Sequence, residues 1–439
     1  MRVVRRNTEL GLILLAALIT GGGYVLATLG QNASLPANLI PFLLAILGLL
    51  AAAHVATRFL APGADGILLP LAGLLNGIGY VFIARLDKDL AGLQALWTAV
   101  GVGAFILTLV VVRRVRDVER FRYTLAFVGV GLLLMPLLPI VGQNINGARL
   151  WVRLGPINFQ PGELAKIALC IFFASYLVEK QMLLSHARFQ LGPIPFPDLK
   201  HYGPLALMWG VSLVVMVFEK DLGSSLLFFA LFIALLWVAT GRVAYLIIGG
   251  GMFGAGAYTA WAMFAHVRSR VSIWLNPWPQ ATDAGFQVVQ ALFAFAAGGF
   301  AGTNLAQGSP ERIPAVTTDF TFAAIGEELG LLGSVAILVA FLLMVGAGFR
   351  IAMRAELPFE KLLAAGLTTI LGVQTFIIVG GVTRLIPLTG ITLPFVSYGG
   401  SSLLSNYVLL ALLLRISDDQ AARSQAAVEG MDQTQLGVA

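Results

Sequence analysis

Long apolar runs, separated by short polar loops, occupy almost the whole chain. Each run is about as long as a helix needs to be to cross a ~30 Å hydrocarbon core. We therefore predict an all-α polytopic membrane protein with about twelve transmembrane helices, at roughly 9–30, 38–57, 66–84, 93–112, 122–142, 163–179, 203–219, 222–241, 243–265, 320–349, 362–383 and 395–415. An even number of spans places both termini on the same side.

The positions of Lys and Arg indicate which side that is, because positive charge is retained in the cytoplasm. With both termini cytoplasmic, eighteen of the 28 basic residues lie inside, nine lie outside, and Lys166 falls within a span. Only 11% of the residues are charged and 58% are hydrophobic, which excludes an ordinary soluble domain. The net charge of +6 reflects cytoplasmic loops that face anionic lipid, so it does not imply binding of nucleic acid.

The chain divides into three predicted parts. Residues 1–60 carry two helices, and about twenty apolar residues in the first run favour a retained helix over a cleaved signal. Residues 61–416 form the main membrane core, with a long outer segment at about 266–319 that is rich in Gly and Pro. A loop of that length is typical of a functional or a disordered segment. The polar residues 417–439 are predicted to be a disordered cytoplasmic tail.

Five sequence blocks appear in a characteristic order along this core: NGARLWVRLG (146–155) with FQPGELAK (159–166), FEKDLGS (218–224), GFQVVQ (285–290), PAVTTDFTFAAIGEELG (314–330) and PLTGITLPFVSYGGSS (387–402). Together they resemble the SEDS family, which includes the RodA, FtsW and SpoVE proteins. The similarity extends over roughly residues 62–416. Members of the family usually have about ten spans, so residues 1–60 look like two additional helices.

The resemblance implies a peptidoglycan glycosyltransferase that polymerises lipid II in the bacterial plasma membrane, with an extracytoplasmic active site. The blocks look most similar to elongation proteins of the RodA type from actinobacteria; a division role of the FtsW type is the alternative. The implied partners are a class B penicillin-binding protein, which would pack through its membrane helix, and the elongation machinery. The family resemblance leaves the metal requirement open, and the sequence contains no nucleotide-binding motif.

Joining two sugars requires a base for the attacking hydroxyl and cations for the departing pyrophosphate. Asp319 matches the Asp of the family's Thr-Asp-Phe motif, at the outer mouth where a loop becomes a helix, so we predict that it is the catalytic base. The same carboxylate is also suited to capping the helix N-terminus. Farther along, Glu327 returns to nearly the face of Asp319, about 12 Å deeper. Glu327 either tunes the pKa of Asp319 or, like Glu328, forms a structural salt bridge between helices.

Further polar residues in or beside the motifs are candidate substrate ligands. Glu163 and Lys166 are three residues apart, so they either neutralise each other in the membrane or hold a substrate phosphate. Arginine suits pyrophosphate because its planar guanidinium can donate hydrogen bonds to two oxygens at once. A single Arg in an outer loop, however, is commonly only solvated. The remaining candidates are Arg149, Arg153, Arg268, Arg270 and Arg384 for phosphate, Asp221 as a cavity carboxylate or a cap, Gln287 and Gln290 for sugar, and Ser397 and Ser401 for pyrophosphate or helix packing.

Two other functional classes are compatible with a polytopic chain. A lipid-precursor transporter or flippase would usually carry internal repeats and charged groups near the bilayer midplane. This sequence contains no fixed-period repeat, and its motif charges gather towards the outer face. A non-catalytic scaffold for a transpeptidase would have no need of a base at Asp319.

Overall fold

The computed structural model describes residues 2–32, 39–145, 148–155, 157–185, 189–191, 194–196, 210, 218–219 and 221–436. The helices are α1 Arg2–Asn32, α2 Leu39–Leu60, α3 Leu68–Leu86, α4 Lys88–Val111, α5 Arg116–Glu119, α6 Arg122–Leu134, α7 Gly162–Ser185, α8 Leu222–Thr240, α9 Ala244–Met263, α10 Ala265–Leu275, α11 Phe286–Gly298, α12 Thr321–Arg354, α13 Pro358–Val382 and α14 Gly400–Leu436.

Helices form most of the molecule, as the hydrophobic pattern predicts. Eleven of the twelve predicted spans coincide with described helices, and the twelfth, at 203–219, lies almost entirely outside the described residues. Within the described part of the chain, eight helices are long and apolar enough to cross a bilayer. Shorter apolar helices occur at Leu44–Leu60, Arg122–Leu137 and Phe286–Gly298.

The sequence did not predict the short strands. β1 Gly142–Ile145, β2 Ala148–Leu154 and β3 Ile157–Phe159 form an antiparallel sheet, and β4 Phe189–Leu191 pairs with β5 Ile194–Phe196. The three-stranded sheet lies in the segment between α6 and α7. In it, Val152 pairs with both Gly142 and Phe159, so β2 is the central strand.

Helix α13 is at the centre of the bundle. Most of its side chains are buried, and it packs against α7, α8, α12 and α14. Its glycines permit close approach: a Cβ on Gly366 would lie 2.5 Å from the Cys170 sulfur of α7. The neighbouring polar side chains on this helix therefore lie in the protein interior rather than in lipid.

Two ends of the bundle can be distinguished. At the tail end, Arg350 near the end of α12 pairs with Asp65 before α3, at 2.9 Å. At the opposite end, which we call the Asp319 end, Arg85 near the end of α3 donates to Glu328 near the start of α12, at 2.7 Å. Helices α3 and α12 therefore run antiparallel along the full height of the bundle.

The prediction of a disordered tail was wrong, because α14 continues as a helix to Leu436. Asp418 accepts a hydrogen bond from the Gly63 amide at 2.7 Å, and Asp419 accepts one from the Val115 amide at 3.0 Å. Arg423 donates to Glu360 at 2.9 Å. These contacts anchor a polar segment that is too hydrophilic to be recognised as part of a membrane bundle.

The long segment at 266–319 also contains more regular structure than a loop. It includes most of α10 and the whole of α11, and α11 packs against the first turns of α12. A Cβ on Gly298 would lie 2.0 Å from the Gly326 carbonyl oxygen, so only glycine fits at this crossing. Helix α12 is then interrupted at Gly330, whose φ of 65° is left-handed.

Candidate active site

Asp319 is placed by a tight turn that precedes α12. Its amide donates to the Ala315 carbonyl at 3.0 Å, and the Thr321 hydroxyl donates back to the Thr317 carbonyl at 2.9 Å. The next residue, Phe320, is fully buried and occupies the N-cap position. Among the described residues no side chain caps α12 there, so the alternative interpretation of Asp319 as a helix cap is not realised.

The sequence block at 387–402 meets this turn. The Tyr398 amide donates to the Thr317 carbonyl at 2.8 Å, and the Ser397 hydroxyl donates to the Thr321 hydroxyl at 3.2 Å. Ser397 also accepts from the Leu393 amide at 3.1 Å and is buried. The predicted pyrophosphate ligand Ser397 is thus engaged in fastening the 387–402 segment to the Asp319 turn.

Arg270 is the cation beside Asp319. It extends from α10, and its Nη1 donates to the Leu388 carbonyl at 2.7 Å. A Cβ built on Gly390 would lie 3.6 Å from Asp319 Oδ2 and 4.0 Å from Arg270 Nη2. The Asp319 carboxylate and the Arg270 guanidinium therefore face the same small space, and Gly390, with φ of 79°, leaves that space open.

The surroundings of Asp319 favour its neutral form. Burial raises the pKa of this half-buried carboxyl to about 6, and the charge of Asp221 acts in the same direction. The Thr318 hydroxyl and Arg270 oppose the increase in pKa. A carboxyl with a pKa near the working pH can both accept and release a proton, which is the requirement for a general base.

Asp221 is also close enough to Arg270 for the guanidinium to interact with both Asp221 and Asp319. It is the N-cap of α8: its Oδ1 accepts from the Ser224 amide at 3.0 Å, and its Oδ2 accepts from the Ser224 hydroxyl at 2.5 Å. Burial raises the pKa of the Asp221 carboxyl, although the two bonds from Ser224 lower it. Both of its predicted roles, as a cap and as a carboxylate near the candidate site, are compatible with this placement.

Glu163 and Lys166 form a buried polar network in the protein interior. Lys166 Nζ donates to Glu163 at 2.5 Å and to Gln374 of α13 at 2.7 Å. Gln374 donates onward to the Thr392 carbonyl at 3.0 Å, and Ser405 of α14 donates to Glu163 at 2.8 Å. Only 2% of Lys166 is exposed, and its buried ammonium neutralises the Glu163 carboxylate. The network as a whole joins α7, α13 and α14 to the 387–402 segment.

Arg384 contacts the end of α10. Its Nη2 donates to the carbonyls of Trp274 at 2.9 Å and Leu275 at 3.2 Å, and the Trp274 indole donates to the Arg384 carbonyl at 3.0 Å. A cation at the last carbonyls of a helix is favoured by the helix dipole. Arg384, Arg270, Trp274 and Gln287 line one small cavity of about 150 Å³.

The other predicted ligands lie farther from this cluster or are engaged locally. The Ser401 hydroxyl accepts from the Gln160 amide at 2.8 Å and is buried. Arg149 and Arg153 are exposed on β2, and Arg153 donates to the Gly155 carbonyl at 3.2 Å. Arg268 is exposed and donates to the Ala262 carbonyl at 3.2 Å, whereas Gln290 is half-buried on α11.

Glu327 and Glu328 hold the segment that follows α11. Glu327 accepts from the Ser309 amide at 2.8 Å, and Glu328 accepts from Arg85 and from the Ala306 amide at 2.9 Å. The bond from Arg85 to Glu328 is a salt bridge between helices, as the structural alternative predicts, whereas Glu327 is held by a backbone amide. Gln374, in contrast, was not identified as a candidate, although a glutamine in an apolar helix is itself a signal of an interior polar network.

No three His, Cys, Asp or Glu side chains gather into a metal-binding group within the described ranges. The candidate site is instead an acid–base arrangement: Asp319 beside Arg270, with Asp221 and the Glu163–Lys166 pair on the surrounding helices. A helical bundle with eight described helices able to cross a bilayer defines a multi-pass membrane protein, and this candidate site lies at one end of the bundle.

Comparison with known proteins identifies the family. Residues 81–422 match the model for FtsW, RodA and SpoVE, described as cell cycle proteins. The peptidoglycan glycosyltransferase RodA of Mycobacterium tuberculosis is 45% identical over 424 residues, covering 94% of this chain and 90% of that protein. The probable peptidoglycan glycosyltransferase FtsW of Geobacter sulfurreducens is 38% identical over 288 residues, covering 65% of this chain and 74% of that protein.

A solved structure has the same fold. It comes from work on the structural coordination of polymerization and crosslinking by a peptidoglycan synthase complex. The two chains superpose with a TM-score of 0.69 at 26% sequence identity. The match covers 81% of this chain and 98% of the other. The protein belongs to the FtsW/RodA/SpoVE family, which confirms the SEDS resemblance found in its sequence motifs.

Proposed function

We propose that this protein is a peptidoglycan glycosyltransferase of the RodA type, which polymerises lipid II and releases undecaprenyl pyrophosphate during cell elongation. Its 45% identity to a mycobacterial RodA over 94% of the chain supports that branch, because the FtsW match is lower and covers 65%. The single observation that carries the catalytic assignment is the Asp319 carboxylate facing Arg270 across Gly390.

In the proposed reaction, the 4-hydroxyl oxygen of the acceptor sugar bonds to the anomeric carbon of the donor. The bond between that carbon and the pyrophosphate oxygen breaks, and the pyrophosphate leaves with the electron pair. Asp319 accepts the hydroxyl proton as the new bond forms. With a pKa of about 6, a substantial part of Asp319 is ionised near neutral pH and available to accept this proton.

Arg270 is the proposed partner of the developing negative charge. One of its terminal nitrogens is fixed by the Leu388 carbonyl, and the other faces the Gly390 space. A guanidinium that is already oriented needs little reorganisation when pyrophosphate charge develops beside it. Gln287 and Arg384, which line the adjacent cavity, are proposed to bind sugar or phosphate oxygens around this centre.

The Asp319 end of the bundle is proposed to face the extracytoplasmic side of the plasma membrane, where lipid II is presented. Both termini are proposed to be cytoplasmic. A class B penicillin-binding protein is the proposed crosslinking partner, since the similar solved structure is of a peptidoglycan synthase complex. Residues 61–416 are the proposed catalytic core, and residues 1–60 are an added helix pair.

The test is polymerisation of purified lipid II by the full-length protein in liposomes, with and without a class B penicillin-binding protein. We expect glycan strands from the wild type and none from Asp319→Asn. Wild-type protein that is folded and partnered but forms no glycan, while it moves lipid II between leaflets, would replace this proposal with a transport function.

A further inference from the structure

A second cavity, of about 420 Å³, lies between the added N-terminal helices and the core, in contact with α2, α3, α4 and α14. Its volume is in the range of small-molecule sites. Apolar side chains such as Leu49 and Val102 form most of its wall. Leu44, Gly48 and Ala99 at its rim are exposed on the outside of the bundle, so the cavity opens towards lipid.

The floor of this cavity is polar, and it lies near the middle of α3. Asn76 Nδ2 donates to the Tyr407 hydroxyl at 3.0 Å and to the Thr98 hydroxyl at 3.2 Å. Thr98 in turn donates its proton to the Gln94 carbonyl at 2.8 Å. Since its proton is used in that bond, the Thr98 hydroxyl can only accept a hydrogen bond from Asn76. The Asn76 side chain must therefore point its NH2 group, and not its oxygen, at Thr98.

Two hydrogen-bonding functions remain unused beside this floor. Asn76 is 6% exposed, and its Oδ1 has no hydrogen-bond partner among the described residues. The Tyr407 oxygen accepts from Asn76, so its own O–H is available to donate. A buried amide oxygen without a partner is costly, which favours a ligand that fills the position.

These features restrict the chemistry of the ligand. The floor presents one acceptor and one donor on adjacent side chains, and a hydroxyl group is the simplest ligand that both donates and accepts through a single atom. None of the described residues that line the cavity is charged, so a phosphate or carboxylate head would enter without a counter-ion. The apolar wall and the opening towards lipid suit a hydrocarbon chain.

We propose that this cavity is a binding site for an uncharged lipid that carries a hydroxyl group, with its chain between α2 and α4 and its hydroxyl between Asn76 and Tyr407. The site depends on the added helix α2, which supplies one of its walls. It is separate from the Asp319 centre, and it does not rest on the function proposed for that centre.

The probe is a sixteen-carbon alcohol that carries a photoreactive diazirine in its chain, compared with its methyl ether, which cannot donate. Both are crosslinked to the full-length protein in nanodiscs, and the labelled peptides are identified by mass spectrometry. We expect saturable labelling of α2 and α3 by the alcohol, and about fivefold weaker labelling by the ether, because one hydrogen bond is lost. Equal labelling by the two probes in the wild type would overturn the proposal.

Two variants locate the site. A Cβ on Gly48 meets nothing within 4 Å, so Gly48→Phe adds bulk at the rim of the cavity without a clash at Cβ and should reduce labelling by the alcohol at least fivefold. Gly103→Phe is the matched control, because Gly103 is equally open on α4 but does not line the cavity.

Asn76→Leu should remove the preference for the alcohol over the ether. If that variant does not fold, Gly48→Phe and the two probes on the wild type still decide the matter. If labelling by the alcohol does not saturate, or if Gly48→Phe is labelled as strongly as the wild type, the labelling reflects ordinary contact with lipid and the site is refuted.

Discussion

The Asp319 carboxylate and the Arg270 guanidinium face each other across a residue that has no side chain. A Cβ at Gly390 would lie 3.6 Å from the acid and 4.0 Å from the guanidinium. The two groups come from segments about fifty residues apart, and a third segment, at 387–402, passes between them. The space at Gly390 is where we expect reacting oxygen atoms to lie.

Gly390→Ala is expected to reduce glycan synthesis much more than it reduces stability. The added methyl occupies the space between Asp319 and Arg270, and the φ of 79° adds a strain of roughly 1 kcal/mol. Gly241→Ala is the matched control, since its φ is 67° and its Cβ meets nothing within 4 Å at the end of α8. Equal activity of the two variants at equal melting temperatures would argue against a reaction centre at Gly390.

Asp319→Asn should lower the rate of lipid II polymerisation by about 10²–10⁴-fold, because it removes the base with almost no change in volume. The melting temperature in detergent should stay close to that of the wild type. Asp283→Asn, an exposed acid between α10 and α11, is the control and should retain full activity. A near-normal rate for Asp319→Asn would show that another group accepts the proton.

The pH dependence of polymerisation should report Asp319. Its folded pKa is raised to about 6, and the base acts in its ionised form, so activity should fall as the pH decreases through about 6. Arg270 lowers this pKa, so Arg270→Gln should move the acid limb to higher pH as well as reduce the rate. An unchanged acid limb in that variant would separate Arg270 electrostatically from the base.

Lys166→Met is expected to destabilise the protein by about 3–5 kcal/mol, because it leaves Glu163 as a buried charge without its cation. The double variant with Glu163→Gln should recover most of the loss. Thermal unfolding in detergent measures both effects. If Lys166→Met instead abolished polymerisation at an unchanged melting temperature, Lys166 would be a substrate ligand, as its sequence motif also allows.

The orientation of the bundle can be tested by cysteine labelling in a Cys170→Ala background. Thr282 and Ser424 are exposed residues at opposite ends. Thr282→Cys should react with a membrane-impermeant thiol reagent in intact spheroplasts, and Ser424→Cys should react only after lysis. Reaction of Ser424→Cys in intact spheroplasts would place the proposed base on the cytoplasmic side and exclude the mechanism.

Span positions were predictable because hydropathy and length alone decide which segments can cross a bilayer. The ordered tail was not predictable, because its stabilising bonds join residues such as Gly63 and Asp418, which are 355 positions apart. The sheet around β2 was missed for a related reason, since pairing between short strands depends on their register rather than on their composition.

The candidate site was predictable only residue by residue. Asp319 could be selected from a motif and Arg270 from its place in an outer segment. Their facing arrangement depends on α10 packing against the 387–402 segment. Arg384 illustrates the limit: its sequence position suits pyrophosphate, but its bonds to the last carbonyls of α10 could not be predicted from the sequence. Gln374 escaped notice because its partners, Lys166 and Thr392, come from other parts of the chain.

The helical continuation of α14 limits where the protein can be shortened or tagged. A chain cut at residue 416, where hydropathy suggests that the membrane bundle ends, would leave the Gly63 and Val115 amides without Asp418 and Asp419. It would also deprive buried Glu360 of Arg423. Affinity tags and fluorescent fusions therefore belong beyond residue 436, and purification schemes that trim the last 23 residues, 417–439, would release a destabilised protein.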